Sequence, residues 1–310
     1  MQNPSRRLFF GGRTPTLSAW EQCLLQLQHK TQGKLRNLGL GSEQAVFTVN
    51  AIADLHHARQ LCHAFGVSLY LWGVPYEVAE VFGPILWLDV SALNQLEPVD
   101  EANEQWFMQA GVSMRQLKAV GFEGVDALPE DLTVAVWLAN AQLQHYPLRQ
   151  IEESGLEHAS LLQADGSVSS LGAFGVQNTK PLNTIFLRQL IPQLFQLCAS
   201  EAAQELLSQP YWLGRYRLDI LDSQRNPAPN LAHLLLGHGG DFGLLEWVVM
   251  NKNKRKPPPV LVPHKSTEPL LQISAQELDA AIKALFDADD LFSSALTSHE
   301  YAANVVPQHV

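Results

Sequence analysis

Charge is scarce in this 310-residue chain. Only 17% of its residues are Asp, Glu, Lys or Arg, while 46% are hydrophobic. Such a balance belongs to a globular protein, and so few charges hint at a surface partly covered by a partner. The charges present are mostly negative: 31 acidic against 21 basic residues, a net −10. Wholesale binding to nucleic acid or to an anionic membrane is excluded on that balance. Cysteine is rarer still. Cys23, Cys62 and Cys198 lie far apart in the chain. Each falls in an apolar helical pattern and reads as a small core residue, with no metal-binding spacing among them. No run approaches the roughly 20 apolar residues of a membrane span. The opening "MQNPSRRLFFGG" carries two arginines but no apolar stretch long enough for a signal peptide, so a cytoplasmic protein is expected. A Walker loop, a Gly-x-Ser-x-Gly elbow and a Gly-x-Gly-x-x-Gly fingerprint are all missing. So are internal repeats and low-complexity tracts.

What is present alternates between helix and strand patterns. "TLSAWEQCLLQLQHKTQG" has Trp20, Leu24 and Leu27 on one helical face, with Thr16 or Ser18 as the cap. "AVFTVN" reads as a short strand. "IADLHHARQLCHAFG" is a second helix, ending at Gly66. "VSLYLWG" and "PILWLDVS" are apolar strands of the buried type. "QWFMQAG" is a further strand, followed by a helix over "SMRQLKAVG" that Ser113 can cap. "TVAVWLANAQL" is helical, and "LEHASLLQADGSVSSLG" is a hairpin turning at Asp165-Gly166. A long helical stretch follows, with Pro192 as a helix start or kink. "YRLDIL" is a short element and "GLLEWVVMN" a strand. "NKNKRKPPPVLVP" is a linker, because three prolines in a row cannot continue a helix or a central strand. One last helix over "SAQELDAAIKALF" has Ser274 and Glu277 as a capping box, and the final ~15 residues look frayed. The fold class is α+β, in two α/β lobes of about residues 1–125 and 126–250, with a Pro-rich linker and helix over about 251–310.

Three stretches, in order, resemble the FAD-binding PCMH-type domain of the vanillyl-alcohol-oxidase superfamily. The flavin domains of D-lactate, glycolate and D-2-hydroxyglutarate dehydrogenases are the nearest match. The first stretch is "DLHHARQLCHAFGVSLYLWG" with "PILWLDVSALNQL" and "FMQAGVSMRQL", carrying Asp89, Ser91 and Asn94. The second runs from Pro129 through Thr133, Leu138, Ala139, Asn140, Tyr146, Gly155, Leu156 and Glu157 to Asp165-Gly166. The third is "RYRLDILDSQRNPAPNLAHLLLGHGGDFGLLEW", with Leu218, Leu231, Leu235, Gly237, Gly240 and Gly243 in register. The resemblance implies a cleft for FAD lined by Gly73, Val74, Pro75 and Tyr76, by Thr133, Ala135, Val136, Ala139 and Asn140, and by Gly237, His238, Gly240 and Gly243. His145 and Tyr146 fall where the family approaches the flavin ring, and they are the polar candidates for catalysis. Turn residues before Pro147 are an equally good description of them.

The departures from the family pattern fall where chemistry sits. A pyrophosphate needs backbone N–H groups at close range, which side chains obstruct. Of the family's first glycine-rich loop only Gly73 remains, and Pro75 has no N–H to give. Ala135-Val136 replaces a Gly-Gly pair, Pro147 replaces a glycine, and "GHGG" at Gly237–Gly240 stands where the family has "GSEG". The family's substrate domain has no counterpart, since only ~60 residues follow Met250. Two readings stay open. One is an FAD-linked oxidase subunit passing hydride from a small substrate to flavin, with a partner subunit supplying the substrate domain or electron acceptor. The other is a non-catalytic paralogue that has lost FAD and serves the assembly or regulation of a partner.

Other features are blander. His56, His57 and His63 share a helix, but no carboxylate or cysteine in the pattern completes a metal set. "KNKRK", Lys252–Lys256, reads as a solvated linker in so acidic a chain. The last helix carries Leu278, Ala281, Ile282 and Leu285 as a stripe that packs on its own domain.

Overall fold

A computed structural model describes residues 17–39, 41–75, 83–102, 104–144, 146–148, 150–175, 182–209, 211–222, 224, 226, 229–256 and 268–292. Seven α-helices and nine strands are seen among these residues. Helix α1 (Ala19–Lys30) starts at Ser18, whose hydroxyl accepts from the Glu21 N–H while Glu21 reaches back to the Ser18 N–H. Strand β1 (Lys34–Asn37) pairs antiparallel with β2 (Gln44–Thr48). Helix α2 (Ile52–Phe65) ends at Gly66 in the left-handed conformation, as the sequence pattern predicts. Strands β3 (Ser68–Leu71) and β4 (Ile85–Asp89) complete a four-stranded sheet in the order β1-β2-β4-β3, with β4 parallel to both its neighbours. Buried residues of α1 and α2, among them Leu27 and Leu55, share a core with Phe47, Leu69 and Leu88 of this sheet.

The second sheet holds five strands in the order β5-β6-β9-β7-β8, all antiparallel. These are β5 (Leu96–Pro98), β6 (Gln105–Gln109), β7 (Leu156–Leu162), β8 (Val168–Leu171) and β9 (Leu244–Asn251). Strand β9 is central, and seven of its eight residues are buried, as a strand covered on both faces requires. Strands β5 and β6 precede residue 125 but pair toward β9. The sheets therefore divide after Asp89 rather than near residue 125.

Helix α3 (Met114–Ala119) is capped by Ser113 in a box with Gln116. Helix α4 (Val134–Ala139) is apolar all round, and its six residues are all buried. Such a helix has to lie inside the protein. Helices α5 (Ile185–Cys198) and α6 (Glu201–Leu207) cover the second lobe, and Pro192 lies inside α5 rather than at its start. Helix α7 (Pro269–Phe286) begins earlier than expected. Its N-cap is Glu268 with Pro269 in the first turn, so Ser274 and Glu277 sit inside the helix and form no capping box. A proline at the first helical position is a start signal in its own right.

The segment after α7 returns to the first lobe. The Asp287 carboxylate accepts the Leu291 N–H at 3.0 Å and the Phe292 N–H at 2.7 Å. It also accepts the Lys283 ammonium. So held, Leu291 accepts the Leu69 N–H at 2.9 Å, and Phe292 bridges in parallel to the edge strand β3. Two further links join the lobes. Arg59 donates to the Ala164 carbonyl oxygen at 2.8 Å. His56 and Ser160 both bond the buried Glu246 carboxylate, each at 2.7 Å.

In its described part the basic run after β9 is exposed at Asn253, Lys254 and Lys256, but Arg255 is buried. Lys252 donates to the Val120 carbonyl oxygen. Lys254 pairs with Glu157 and Lys256 with Glu153. Arg255 is buried, with its guanidinium 4.7 Å from the centre of the Trp137 ring and a hydrogen bond to the Glu123 carbonyl oxygen. Each cation finds a local partner, which removes the run as an anion-binding arm. The rest of the Pro-rich segment lies outside the described residues.

Candidate functional site

The fold brings most of the sequence-predicted cleft residues to one seam between the lobes. Ala135 of α4, His238 and Gly243 line a common cavity with Leu71, Val90, Leu244 and Leu245. Gly73 meets α4 at its rim. A Cβ placed on Gly73 would stand 3.3 Å from Val136 Cγ2, and its φ of +99° is one that glycine adopts without penalty. Val74 is half-buried and Pro75 exposed. Tyr76 and His145 lie outside the described residues.

Several backbone donors at this seam are paired within the chain. The Val134 N–H donates to the Val112 carbonyl oxygen and the Ala135 N–H to the Ala110 carbonyl oxygen, both at 2.8 Å. The Val136 N–H meets the Thr133 hydroxyl, which caps α4. Asn140 caps the 3-10 turn Ala141–Leu143 by accepting the Gln142 N–H. The glycine loop then closes over α4: Gly237 donates to the Leu138 carbonyl oxygen at 2.7 Å and Gly239 to the Ala139 carbonyl oxygen at 2.9 Å. Gly240 is half-buried beside them. These two bonds join the glycine loop to α4.

His238 offers no charge to an anion. Burial pushes its imidazole down to about 4, although Nδ1 lies 2.6 Å from the Leu235 carbonyl oxygen. That carbonyl can only accept, so Nδ1 carries the hydrogen and the ring is neutral at pH 7. Tyr146 is not among the cavity-lining residues. It is buried, its hydroxyl donates to the Lys256 carbonyl oxygen at 3.1 Å, and its own carbonyl oxygen accepts from Arg217 at 2.8 Å. Burial raises its phenol above the usual value. Those bonds describe a packing residue.

Room is the deciding quantity. The cavity volume is about 10 Å³, close to the ~10–15 Å³ that a single water requires. Drug-sized ligands occupy roughly 300–1,000 Å³. The cavity lined by Ala135, His238 and Gly243 is therefore too small, as it stands, for a dinucleotide.

Beside the seam lies a polar cluster that the sequence reading did not single out. Asp241 is fully buried. It accepts the Tyr216 hydroxyl at 2.7 Å and pairs with Arg215 at 3.2 Å. Asp279 of α7 accepts the N–H groups of Arg215 and Tyr216 at 2.8 and 3.1 Å. Burial pushes Asp241 up to about 6 against the pull of Arg215, and Asp279 up to about 7 against its two N–H donors. Nearby, Arg217 grips Asp219 through two bonds of 2.6 and 2.8 Å. The Phe242 ring stacks on Phe286 of α7 at 3.9 Å, so α7, the glycine loop and the Arg215 turn form one packed unit. One signal was available in the sequence. Asp279 directly follows Leu278 in the apolar stripe of α7, where a polar residue needs a buried partner. His56 of the histidine helix is accounted for by Glu246, and His63 faces Asp289 at 3.2 Å. Among the described residues no group of three His, Cys, Asp or Glu side chains could hold a metal. No described helix is long and apolar enough to cross a membrane.

No protein-family model matches the chain, and no curated protein does. Solved structures do. An alkyldihydroxyacetonephosphate synthase shares 15% identity over 67% of this chain, with a TM-score of 0.39. The 6-hydroxy-D-nicotine oxidase of Arthrobacter nicotinovorans shares 14% over 71%, with a TM-score of 0.41. The BBE-like 1 protein of Physcomitrella patens shares 11% over 75%, with a TM-score of 0.42. The chain spans 31%, 42% and 44% of those proteins' own lengths. Similarity at this level carries no argument about what this chain binds. The two-sheet α+β architecture stands on the strand pairing itself.

Proposed function

We propose that this chain is a flavin-domain-like protein whose cofactor cleft has closed, and that it serves an oxidoreductase as a non-catalytic assembly or regulatory subunit. The observation that carries this reading is the zipping of the glycine loop onto α4 through Gly237–Leu138 and Gly239–Ala139. In a phosphate-binding loop such N–H groups point at the ligand. Here each has a partner that would have to be given up, and a buried carbonyl left without its donor costs on the order of 1–3 kcal/mol. The low charge fraction of 17% supports a partner-covered surface.

A second reading keeps the chain as an FAD-linked oxidase subunit of 2-hydroxy-acid dehydrogenase type. Its support is Gly73, still a glycine at the seam's rim with a positive φ. On that reading a partner completes the substrate half of the site.

Visible absorption of the purified chain, recorded after incubation with excess FAD and gel filtration, separates the two. The closed-cleft reading expects a colourless protein. Bands near ~370 and ~450 nm travelling with the protein would establish a flavin site and replace this reading with the second.

A further inference from the structure

We propose that α7 is a pH-operated element: it stays docked on the glycine loop while the buried carboxyls Asp241 and Asp279 hold protons, and it loosens, with the segment Asp287–Phe292 behind it, as they ionise. Asp279 links α7 to the Arg215 turn. Its two oxygens accept the N–H groups of Arg215 at 2.8 Å and Tyr216 at 3.1 Å. The Tyr216 hydroxyl carries the chain of bonds on to Oδ2 of Asp241 at 2.7 Å, and Arg215 stands 3.2 Å from the same oxygen. The other oxygen of Asp241, Oδ1, is buried and has no hydrogen-bond partner among the described residues. Phe242, the next residue, stacks on Phe286 of α7. A carboxylate with a bare oxygen beside two such rings is poorly solvated, and burial of this kind favours the uncharged form. Helix α7 packs on α5 and α6, so it can part from the second lobe without breaking that lobe's strand ladder. Local openings of contiguous units of this size occur below the free energy of global unfolding.

The balance of charge gives the same direction. Arg215, Tyr216, Lys283 and Asp290 act on Asp241, while Arg215 and Asp241 act on Asp279. Tyr216 is neutral, because burial raises its phenol. Lys283 is bonded to Asp287 and lies 3.4 Å from Asp290. Asp289 faces His63. With every carboxyl ionised, Asp241, Asp279, Asp287 and Asp290 set four negative charges against the two positive charges of Arg215 and Lys283. Repulsion among like charges is strong in a buried site. Burial accordingly holds Asp241 at about 6 and Asp279 at about 7. The docked form binds these protons more tightly than a released, solvated form does. Docking is therefore strongest below about pH 4, and release gains up to about tenfold per pH unit and group until the docked values are passed. Release would bare Phe242 and the β3 edge, since the segment that accepts the Leu69 N–H continues from α7. The device does not depend on whether the seam binds flavin.

The test is amide hydrogen exchange of the intact, unmutated chain at pH 4.5 and pH 7.5, corrected for the intrinsic pH dependence of exchange. Val248, in the middle of β9, is the reference for opening of the whole fold. That reference also absorbs the buried His233 and His238, which are bonded to Leu156 and Leu235 outside α7. Between the two pH values, protection at Leu278 and Ile282 of α7 should fall at least tenfold more than protection at Val248. In Asp279→Asn that difference should shrink severalfold. A ratio of α7 to β9 protection that stays constant or rises with pH would overturn the proposal. So would the full difference persisting in a folded Asp279→Asn chain. Because the first measurement uses the unmutated chain, a variant that fails to fold leaves the test standing.

Discussion

Gly237 donates its N–H to the Leu138 carbonyl oxygen at 2.7 Å. The bond joins the glycine loop to a helix with no exposed residue, at a position that the flavin-domain resemblance places in the lining of the cofactor cleft. Gly239 repeats the arrangement one residue further along α4, at Ala139.

The buried carboxyls near this seam set a pH dependence. Asp241 titrates near 6 and Asp279 near 7, both above the ordinary value of 3.8. A carboxyl whose folded value is raised binds its proton more tightly when folded. Its stabilising contribution is full below about pH 4 and is lost as pH rises through 6 to 7. Each group contributes up to about 1.4 kcal/mol per pH unit in its window. Buried His233 and His238, lowered to about 4, act in the opposite sense up to about pH 6.5, so the urea midpoint should fall with rising pH only between about 6.5 and 7.5. Asp279→Asn should flatten that slope by about one group's share. An unchanged slope in the variant would mean that Asp279 is charged throughout the range.

Removing Asp219 strands a buried cation. Arg217 is nearly inaccessible and makes two bonds to Asp219. Breaking a buried pair from one side costs about 3–5 kcal/mol. Asp219→Ala should lose that much in chemical denaturation. A loss under ~1 kcal/mol would show that solvent reaches the guanidinium.

Gly111 cannot carry a side chain. Its N–H bonds the Leu93 carbonyl oxygen at 2.8 Å, and a Cβ there would lie 1.9 Å from the Val90 carbonyl oxygen. That neighbour is backbone and cannot rotate away, so Gly111→Ala should abolish soluble expression or cost more than about 3 kcal/mol. Gly39→Ala, whose Cβ would meet only Ser42 at 3.6 Å, is the matched control and should be nearly neutral.

The clasp after α7 protects a sheet edge. Asp287 holds Leu291 and Phe292 in place, and Leu291 accepts the Leu69 N–H. Asp287→Ala should raise amide hydrogen exchange at Leu69 by at least tenfold while the centre of β9 stays protected. Equal acceleration at both would indicate global unfolding instead of local opening.

Much of this was legible in the sequence, for local reasons. The Ser18 and Ser113 caps, the Gly66 stop and the Asp165-Gly166 turn use residue types whose conformations are nearly obligatory. The apolar strands β3, β4 and β9 announced themselves by composition. Of the expected seam residues, Ala135, His238 and Gly243 line one cavity. What the sequence hid is set by distant partners. The closure of the seam depends on which carbonyl each N–H meets, and neither Leu138 nor Ala139 advertises its role as an acceptor. The burial of Arg255 against Trp137 was hidden by its basic neighbours, and the start of α7 by a more familiar capping box downstream of Pro269. The Asp241–Tyr216–Asp279 cluster joins residues up to 63 positions apart, beyond the reach of any periodicity.

The most direct measurement is the melting temperature of the intact chain across an FAD titration to millimolar concentration. A ligand that binds the native state alone must stabilise it, by about 2.7 kcal/mol at a hundredfold excess over Kd. For a chain of this size that is a rise of at least several degrees. A closed seam predicts a melting temperature that does not move. A saturable rise would show that the seam opens to admit the dinucleotide, and the non-catalytic reading would fall.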